Sequence, residues 1–103
     1  GGGGGSSFVE NKPVPDQPPF TAYVANMPYE VPPEEVADSF KDCGAIADVR
    51  VVRHRDTDLP KGIFVEFKER DALVRALEFN GCLMSGRPLR VDVAQERRRG
   101  GGG

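Results

Sequence analysis

The pattern of residues 61–67 predicts a strand with two different faces. Successive side chains point to opposite sides of a strand, so the residues divide into two sets. One set is wholly apolar and suits a core: Ile63, Val65 and Phe67. The other set contains Phe64 and Glu66, which places a ring beside a charge on the face that we expect to meet solvent.

The same alternation predicts three further strands, over Phe20 to Met27, Ala47 to Arg53 and Pro88 to Ala94. Each has apolar residues on the side that we expect to be buried: Ala22 and Val24, then Val49 and Val51, then Leu89, Val91 and Val93. The opposite sides carry one ring and several charges: Tyr23, Arg50, Arg90 and Asp92. Two of the four strands therefore offer a ring to the same surface.

Apolar residues at helical spacing predict two helices between these strands. The first begins at residues 32–33, where the missing N–H of proline costs nothing, and ends near Gly44. Its acidic residues suit the positive end of a helix dipole and solvent, so we assign them no catalytic or metal role: Glu34, Glu35 and Asp38. The second runs from about Glu69 or Asp71 to Phe79, and Asn80-Gly81 ends it.

The order of elements predicts an α+β domain with the ferredoxin-like βαββαβ topology, a four-stranded antiparallel sheet with two helices packed on one face. The other face stays open. We expect Tyr23 and Phe64 at its centre, surrounded by charged residues: Arg50, Glu66, Arg90 and Asp92. An open sheet face that carries rings suits stacking on unpaired nucleic-acid bases.

Composition indicates one small domain with tails, since the chain has 103 residues, 38% hydrophobic and 29% charged. We assign residues 18–96 to the folded domain and residues 1–17 to a disordered tail rich in Gly, Ser and Pro. Residues 97–103 form a basic, Gly-rich tail.

The net charge of -2, from 14 basic and 16 acidic residues, is not that of a strong polyanion binder. Phosphate contacts supply most non-specific affinity for nucleic acid. We therefore expect modest affinity, or dependence on the basic tail residues: Arg97, Arg98 and Arg99.

No residue set indicates catalysis, a metal or a cofactor, and we predict that the protein is not an enzyme. His54, the only histidine, lies in a polar loop with no nucleophile arranged around it. Cys43 and Cys82 form no metal-ligand pattern or disulfide framework, so we expect a reducing compartment and two small packing residues. Without a membrane span or signal-peptide pattern, we expect a soluble cytoplasmic protein, with the nucleus or an organelle as alternatives.

Two segments resemble the signatures of the RNA recognition motif: Tyr-Val-Ala-Asn-Met-Pro at residues 23–28 the shorter one, and Lys-Gly-Ile-Phe-Val-Glu-Phe at residues 61–67 the longer one. The resemblance covers residues 18–96. More narrowly, the chain resembles the recognition motif of translation initiation factors 4B and 4H, through residues 19–24, 49–53, 56–58 and 89–94.

The longer signature is one residue short between Gly62 and Phe67. If it is aligned at Lys61, Phe64 and Glu66 turn into the core, and burying an unpaired Glu66 is costly. If it is aligned at Phe67, Phe64 stays exposed and Gly62 falls where the family has an aromatic residue. We choose the second alignment. It predicts two stacking rings where the family usually has three, and it predicts that Lys61 no longer points at phosphate as its counterpart in the family does.

The resemblance implies a module that binds single-stranded RNA in translation or RNA processing. It assigns RNA contact to nine residues: Tyr23, Asn26, Arg50, Lys61, Phe64, Arg90, Arg97, Arg98 and Arg99. Among them the two rings would stack on bases, the arginines would meet phosphate or bases, and Asn26 would support the end of its strand. Expected partners are RNA and an RNA helicase or other ribonucleoprotein subunits, with no membrane.

Two alternatives belong to other classes. A protein-interaction module with a degenerate RNA-binding face is favoured by the shortened signature and the acidic helix face. An acylphosphatase-like hydrolase on the same fold needs a phosphate-cradling loop, which we do not find in the sequence.

Overall fold

The computed structural model describes residues 14–94. In chain order the elements are β1 (Phe20–Ala25), α1 (Pro33–Ser39), a single 3-10 turn (Phe40–Cys43), β2 (Ile46–Arg53), β3 (Pro60–Phe67), α2 (Arg70–Leu77), β4 (Leu83–Met84), β5 (Arg87–Pro88) and β6 (Arg90–Val93). This order confirms the predicted βαββαβ topology and adds a small hairpin, β4–β5, before the last strand.

The main sheet has four antiparallel strands in the order β2-β3-β1-β6. The strand with the longer signature, β3, therefore lies beside β1, and their residues pair directly from Phe20 opposite Phe67 to Ala25 opposite Gly62. Strand β2 forms one edge, which leaves the inward-facing Val49 37% exposed. The two central strands are thus those that carry the predicted rings.

The core lies between the sheet and the two helices, as the alternation predicts. The buried strand residues are Phe20, Ala22, Val24, Ile63, Val65, Phe67, Val91 and Val93. The helical side contributes Val36, Ala37, Phe40, Ala72, Leu73 and Ala76. The rings of Phe40 and Phe79 meet with centroids 4.8 Å apart, which closes the core beneath the 3-10 turn.

Helix α1 begins as its sequence predicts, with Pro32 extended at the N-cap and Pro33 in the first turn. Its α-helical part ends at Ser39, and the 3-10 turn then carries the chain to Gly44. Gly44 lies against α2, because a Cβ on it would stand 2.5 Å from the Cβ of Ala72. This glycine allows the end of the first helical segment to touch the second helix.

Several boundaries differ from the prediction. Strand β1 stops at Ala25 because Asn26 has a positive φ of 57°, which an extended ladder does not accommodate. The predicted last strand is divided, since Arg87–Pro88 pairs with β4 and β6 starts only at Arg90. Helix α2 ends at Leu77, two residues before Phe79.

The prediction that both cysteines are packing residues is wrong for one of them. Cys43 is half-buried at the end of the 3-10 turn, but Cys82 is exposed. Cys82 follows Gly81, which has a φ of 90°, and its backbone N–H donates to the carbonyl of Phe79. The turn after α2 therefore carries this thiol away from the core.

Part of the predicted N-terminal tail is described and contacts α2. The Nε of Arg70 donates to the carbonyl oxygen of Pro15 at 3.1 Å, and it lies 3.8 Å from a carboxylate oxygen of Asp16. Val14 packs against the core. The remaining tail predictions, residues 1–13 and 97–103 with Arg97 to Arg99, lie outside the described residues, as do residues 95–96 of the predicted domain. Within residues 14–94, no helix is long and apolar enough to cross a membrane.

Candidate nucleic-acid interface

Two aromatic rings meet on the open face of the sheet. Tyr23 of β1 and Phe64 of β3 are direct cross-strand partners, and their ring centroids lie 4.7 Å apart with planes inclined by 38°. Both side chains are partly exposed, whereas Ile63 and Val65 on either side of Phe64 are buried. This facing confirms the alignment of the longer signature at Phe67.

Gly62 makes room for the ring of Tyr23. A Cβ added to Gly62 would lie 2.7 Å from Cζ and 2.8 Å from Cε1 of Tyr23, far inside van der Waals contact. The position that the alignment leaves without an aromatic residue is thus covered by the neighbouring tyrosine. The face therefore carries one contiguous pair of rings.

Charged residues continue the row of the rings across the sheet. Arg50 of β2 pairs with Phe64, and Asp92 of β6 pairs with Tyr23, so the row reads Arg50, Phe64, Tyr23, Asp92. Arg50 is exposed, and the carboxylate of Asp92 accepts a hydrogen bond from the N–H of Val93 at 2.8 Å. A cation and an anion thus flank the ring pair.

The neighbouring row is polar and lines a concavity. Glu66 of β3 stands between Asp48 of β2 and Thr21 of β1. This row borders a concavity of about 360 Å³, lined by Pro19, Thr21, Asp48, Arg50, Phe64, Glu66 and Ala94. The ring of Phe64 therefore forms part of the wall of a recess that has both donors and acceptors.

Asn26 and Arg90 lie at the opposite end of β1. The Asn26 side-chain amide donates to the carbonyl oxygen of Pro88, which ties the end of β1 to the β4–β5 hairpin. Arg90 pairs with Ala25 and borders a second, more open recess of about 650 Å³ together with Asn26, Asn80, Gly81, Pro88 and Leu89. Asn26 therefore has a structural bond here, and Arg90 is exposed beside it.

Lys61 is not brought to the rings by strand pairing. It lies at a register shift, between the pairs Val52–Gly62 and Arg53–Pro60, and has no residue opposite it. Gly62 and Phe64 share the open face, so simple alternation places Lys61 on the other side. Lys61 therefore lies on the opposite side of β3 from the ring of Phe64.

Several residues around the site were not among the predicted site residues, including Glu66, which the sequence placed on this face without a role. Thr21 and Asp48 line the concavity, and alternation in β1 and β2 could have found them because they share faces with Tyr23 and Arg50. Tyr29 is 64% exposed beyond the end of β1, with the Arg87 guanidinium 5.8 Å from its ring centroid. That contact joins a loop to the hairpin, and no alternation of apolar and polar residues in the sequence predicts it.

A four-stranded antiparallel sheet backed by two helices, with adjacent rings on its free face, defines the class of this domain. The chain belongs to the RNA recognition motif family, whose model matches residues 22–90. The predicted family is thereby confirmed.

Among individual proteins, the chain is 41% identical over 106 residues to eukaryotic translation initiation factor 4B of Saccharomyces cerevisiae, covering 97% of this chain and 24% of that protein. It is 35% identical over 99 residues to the probable RNA-binding protein sce3 of Schizosaccharomyces pombe, covering 94% of this chain and 25% of that protein. The chain thus spans about a quarter of these relatives.

A solved structure of similar fold is the crystal structure of RNA-binding protein PG1, with a TM-score of 0.67 and 30% sequence identity. The match covers 78% of this chain and 99% of that one. The part of this chain that matches therefore corresponds to nearly the whole of that solved chain.

Proposed function

We propose that this domain binds single-stranded RNA by stacking bases on Tyr23 and Phe64. The observation that carries the proposal is the pair of partly exposed rings, 4.7 Å apart on a sheet face that no helix within residues 14–94 covers. Aromatic side chains on such a face stack on unpaired bases, which is the common mode of recognition for this family. The domain acts by binding, without catalysis.

Basic side chains supply the contacts to phosphate. Arg50 stands next to Phe64 and Arg90 lies at the other end of β1, so a strand of RNA that crosses both rings passes both cations. Asn26 keeps the end of β1 in place through its bond to Pro88. Lys61 and the tail residues Arg97, Arg98 and Arg99 add longer-range attraction.

The affinity of the face is modest. It offers two rings, and each stacked base contributes about 1 to 3 kcal/mol. Glu66 and Asp48 also lie on this face, and their negative charge opposes the phosphate backbone. A modest affinity for RNA suits a domain that binds together with other parts of a longer protein.

The relative of highest identity reported above is a translation initiation factor, and this favours a role in initiation. In that setting the domain holds single-stranded messenger RNA in the cytoplasm, beside an RNA helicase or other ribonucleoprotein subunits. RNA processing, which the resemblance to the family also implies, is the alternative process.

A titration of short labelled single-stranded RNAs at low and at moderate salt tests the proposal. The variants are Tyr23→Ala/Phe64→Ala, a chain without residues 97–103, and Tyr29→Ala as a matched control, an exposed tyrosine away from the ring pair. We expect the ring variant to lose most of its affinity and the control to keep it. If only the tail deletion weakens binding, and wild-type binding falls steeply with salt, the sheet is not the RNA site.

A second candidate function is protein interaction through the end of the domain that carries the hairpin. Tyr29 and Leu83 are 64% and 71% exposed there, and they offer apolar surface that a protein partner would cover. This candidate replaces the first if Tyr23→Ala/Phe64→Ala retains RNA affinity while Tyr29→Ala/Leu83→Ala loses a partner complex from cell extract.

A further inference from the structure

The concavity beside Phe64 combines features that a base-selective recess needs. Its volume of about 360 Å³ is that of a small-ligand site, and one wall is an aromatic ring. The charged part of the lining carries both signs, with Arg50 beside Phe64 and the carboxylates of Asp48 and Glu66 in the neighbouring row of the sheet. A flat ring that stacks on Phe64 would present its edges to these groups.

The two carboxylates are placed at a cost to the sheet. Asp48 and Glu66 are direct partners in the pairing of β2 with β3, and like charges opposite one another destabilise a sheet. Among residues 14–94, neither carboxylate has a hydrogen bond or ion pair that would offset this repulsion, and Arg50 has none either. The recess therefore holds acceptors and a donor group that a ligand can satisfy.

Guanine matches this arrangement better than the other RNA bases. Its Watson–Crick edge places two donors side by side, N1–H and the N2 amino group, which suit the two oxygens of one carboxylate. Its O6 and N7 acceptors suit the fork of an arginine. Adenine and cytosine each present a ring acceptor next to their amino group, and uracil flanks its single N–H with two carbonyls, so each sets a lone pair against a carboxylate.

We infer that the recess selects guanine, with the base stacked on Phe64, Glu66 accepting from N1–H and N2, and Arg50 donating to O6 and N7. Asp48 strengthens the preference for a donor-rich edge through its charge. This inference rests on the proposed function, because it requires RNA on the sheet face. It adds a sequence preference that stacking alone does not provide, since every base has a face on which to stack.

Selectivity is tested by a ratio of affinities rather than by affinity alone. Short oligouridines with one central guanosine, adenosine or inosine are titrated against wild type and against Glu66→Gln, Asp48→Asn and Glu35→Gln. Glu35→Gln is the matched control, because it makes the same charge change on the exposed surface of α1. Thermal melting checks that each variant is folded.

We expect wild type to prefer guanosine over adenosine by about tenfold, within the range of one good bidentate base contact. Inosine, which lacks the N2 amino group, should bind more weakly than guanosine. Glu66→Gln should bring the guanosine-to-adenosine ratio close to one, Asp48→Asn should lower it in part, and Glu35→Gln should leave it unchanged.

A wild-type ratio within twofold of one, or a ratio that Glu66→Gln and Asp48→Asn leave unchanged, overturns the guanine inference. Either result leaves the stacking proposal standing as long as Tyr23→Ala/Phe64→Ala still abolishes binding. If that double variant binds like wild type, the proposed function itself fails, whatever the ratio.

Discussion

The ring of Tyr23 lies over Gly62, in a space that no side chain at residue 62 could share with it. The distance from an added Cβ to Cζ of Tyr23 would be only 2.7 Å. The glycine in the signature strand and the tyrosine in the neighbouring strand are thus complementary, and together they set the ring of Tyr23 against Phe64. The absence of an aromatic side chain at Gly62 is therefore what allows the ring of Tyr23 to occupy this position.

Gly62→Ala should therefore weaken RNA binding without removing either ring. The new methyl group displaces the Tyr23 ring from its place beside Phe64, and we expect a loss of at most about 1 to 3 kcal/mol, which is the contribution of one whole stacked base. RNA titration measures it. In the Tyr23→Ala background, the same substitution should cost almost nothing further; an equal cost in both backgrounds would show that the steric relationship is not the cause.

Gly44→Ala should destabilise the fold by overpacking the contact between the two helical segments. The added Cβ would lie 2.5 Å from the Cβ and 3.3 Å from the Cα of Ala72. Insertion into a packed contact typically costs about 1 to 3 kcal/mol. Chemical denaturation measures the loss, and Gly44→Ala/Ala72→Gly should lose less than the sum of the two single changes. Strict additivity would contradict the proposed clash.

Asn26 combines a backbone requirement with a side-chain bond, and two substitutions separate them. Its φ of 57° suits asparagine or glycine, and its amide donates to the carbonyl oxygen of Pro88. Asn26→Gly loses only the bond, whereas Asn26→Ala loses the bond and strains the backbone. We expect the alanine variant to be less stable than the glycine variant by about 1 kcal/mol in denaturant titrations. Equal stability would mean that the backbone relaxes freely there.

The two thiols should differ in reactivity. Burial raises the pKa of the Cys43 thiol, Arg75 opposes that rise, and the charges of Asp42 and Glu78 add to it. Because the thiolate is the nucleophile, alkylation at mildly alkaline pH should modify the exposed Cys82 first. Mass spectrometry of timed samples measures the order, with Cys43→Ser and Cys82→Ser to assign each site. Faster modification of Cys43 would contradict this description of its surroundings.

The sequence predicts the sheet and its faces well because two criteria agree there: side chains alternate between the faces of a strand, and burying a charged side chain is costly. Placing Phe64 outward followed from the cost of burying Glu66, and the buried Ile63, Val65 and Phe67 confirm it. Ring orientation does not follow from alternation, so the fit of Tyr23 over Gly62 could not be predicted.

Local irregularities also escaped prediction. The positive φ of Asn26 ends β1 early, and a short hairpin takes Arg87 and Pro88 out of the predicted last strand. Each depends on a turn whose partner is distant in sequence. The exposure of Cys82 follows from such a turn as well.

Strands β1 and β6 bring the two ends of the folded part together. The N–H of Ala94 donates to the carbonyl oxygen of Thr21 at 2.9 Å, and both Pro19 and Ala94 border the recess beside Phe64. The N-terminal segment leads from Pro19 back to Arg70 of α2, whereas under the proposed function the segment that follows Ala94 starts next to the base in this recess. A second binding element on such a segment meets the same RNA at a high effective concentration, so a longer chain can hold RNA far more tightly than the affinity of this face alone indicates.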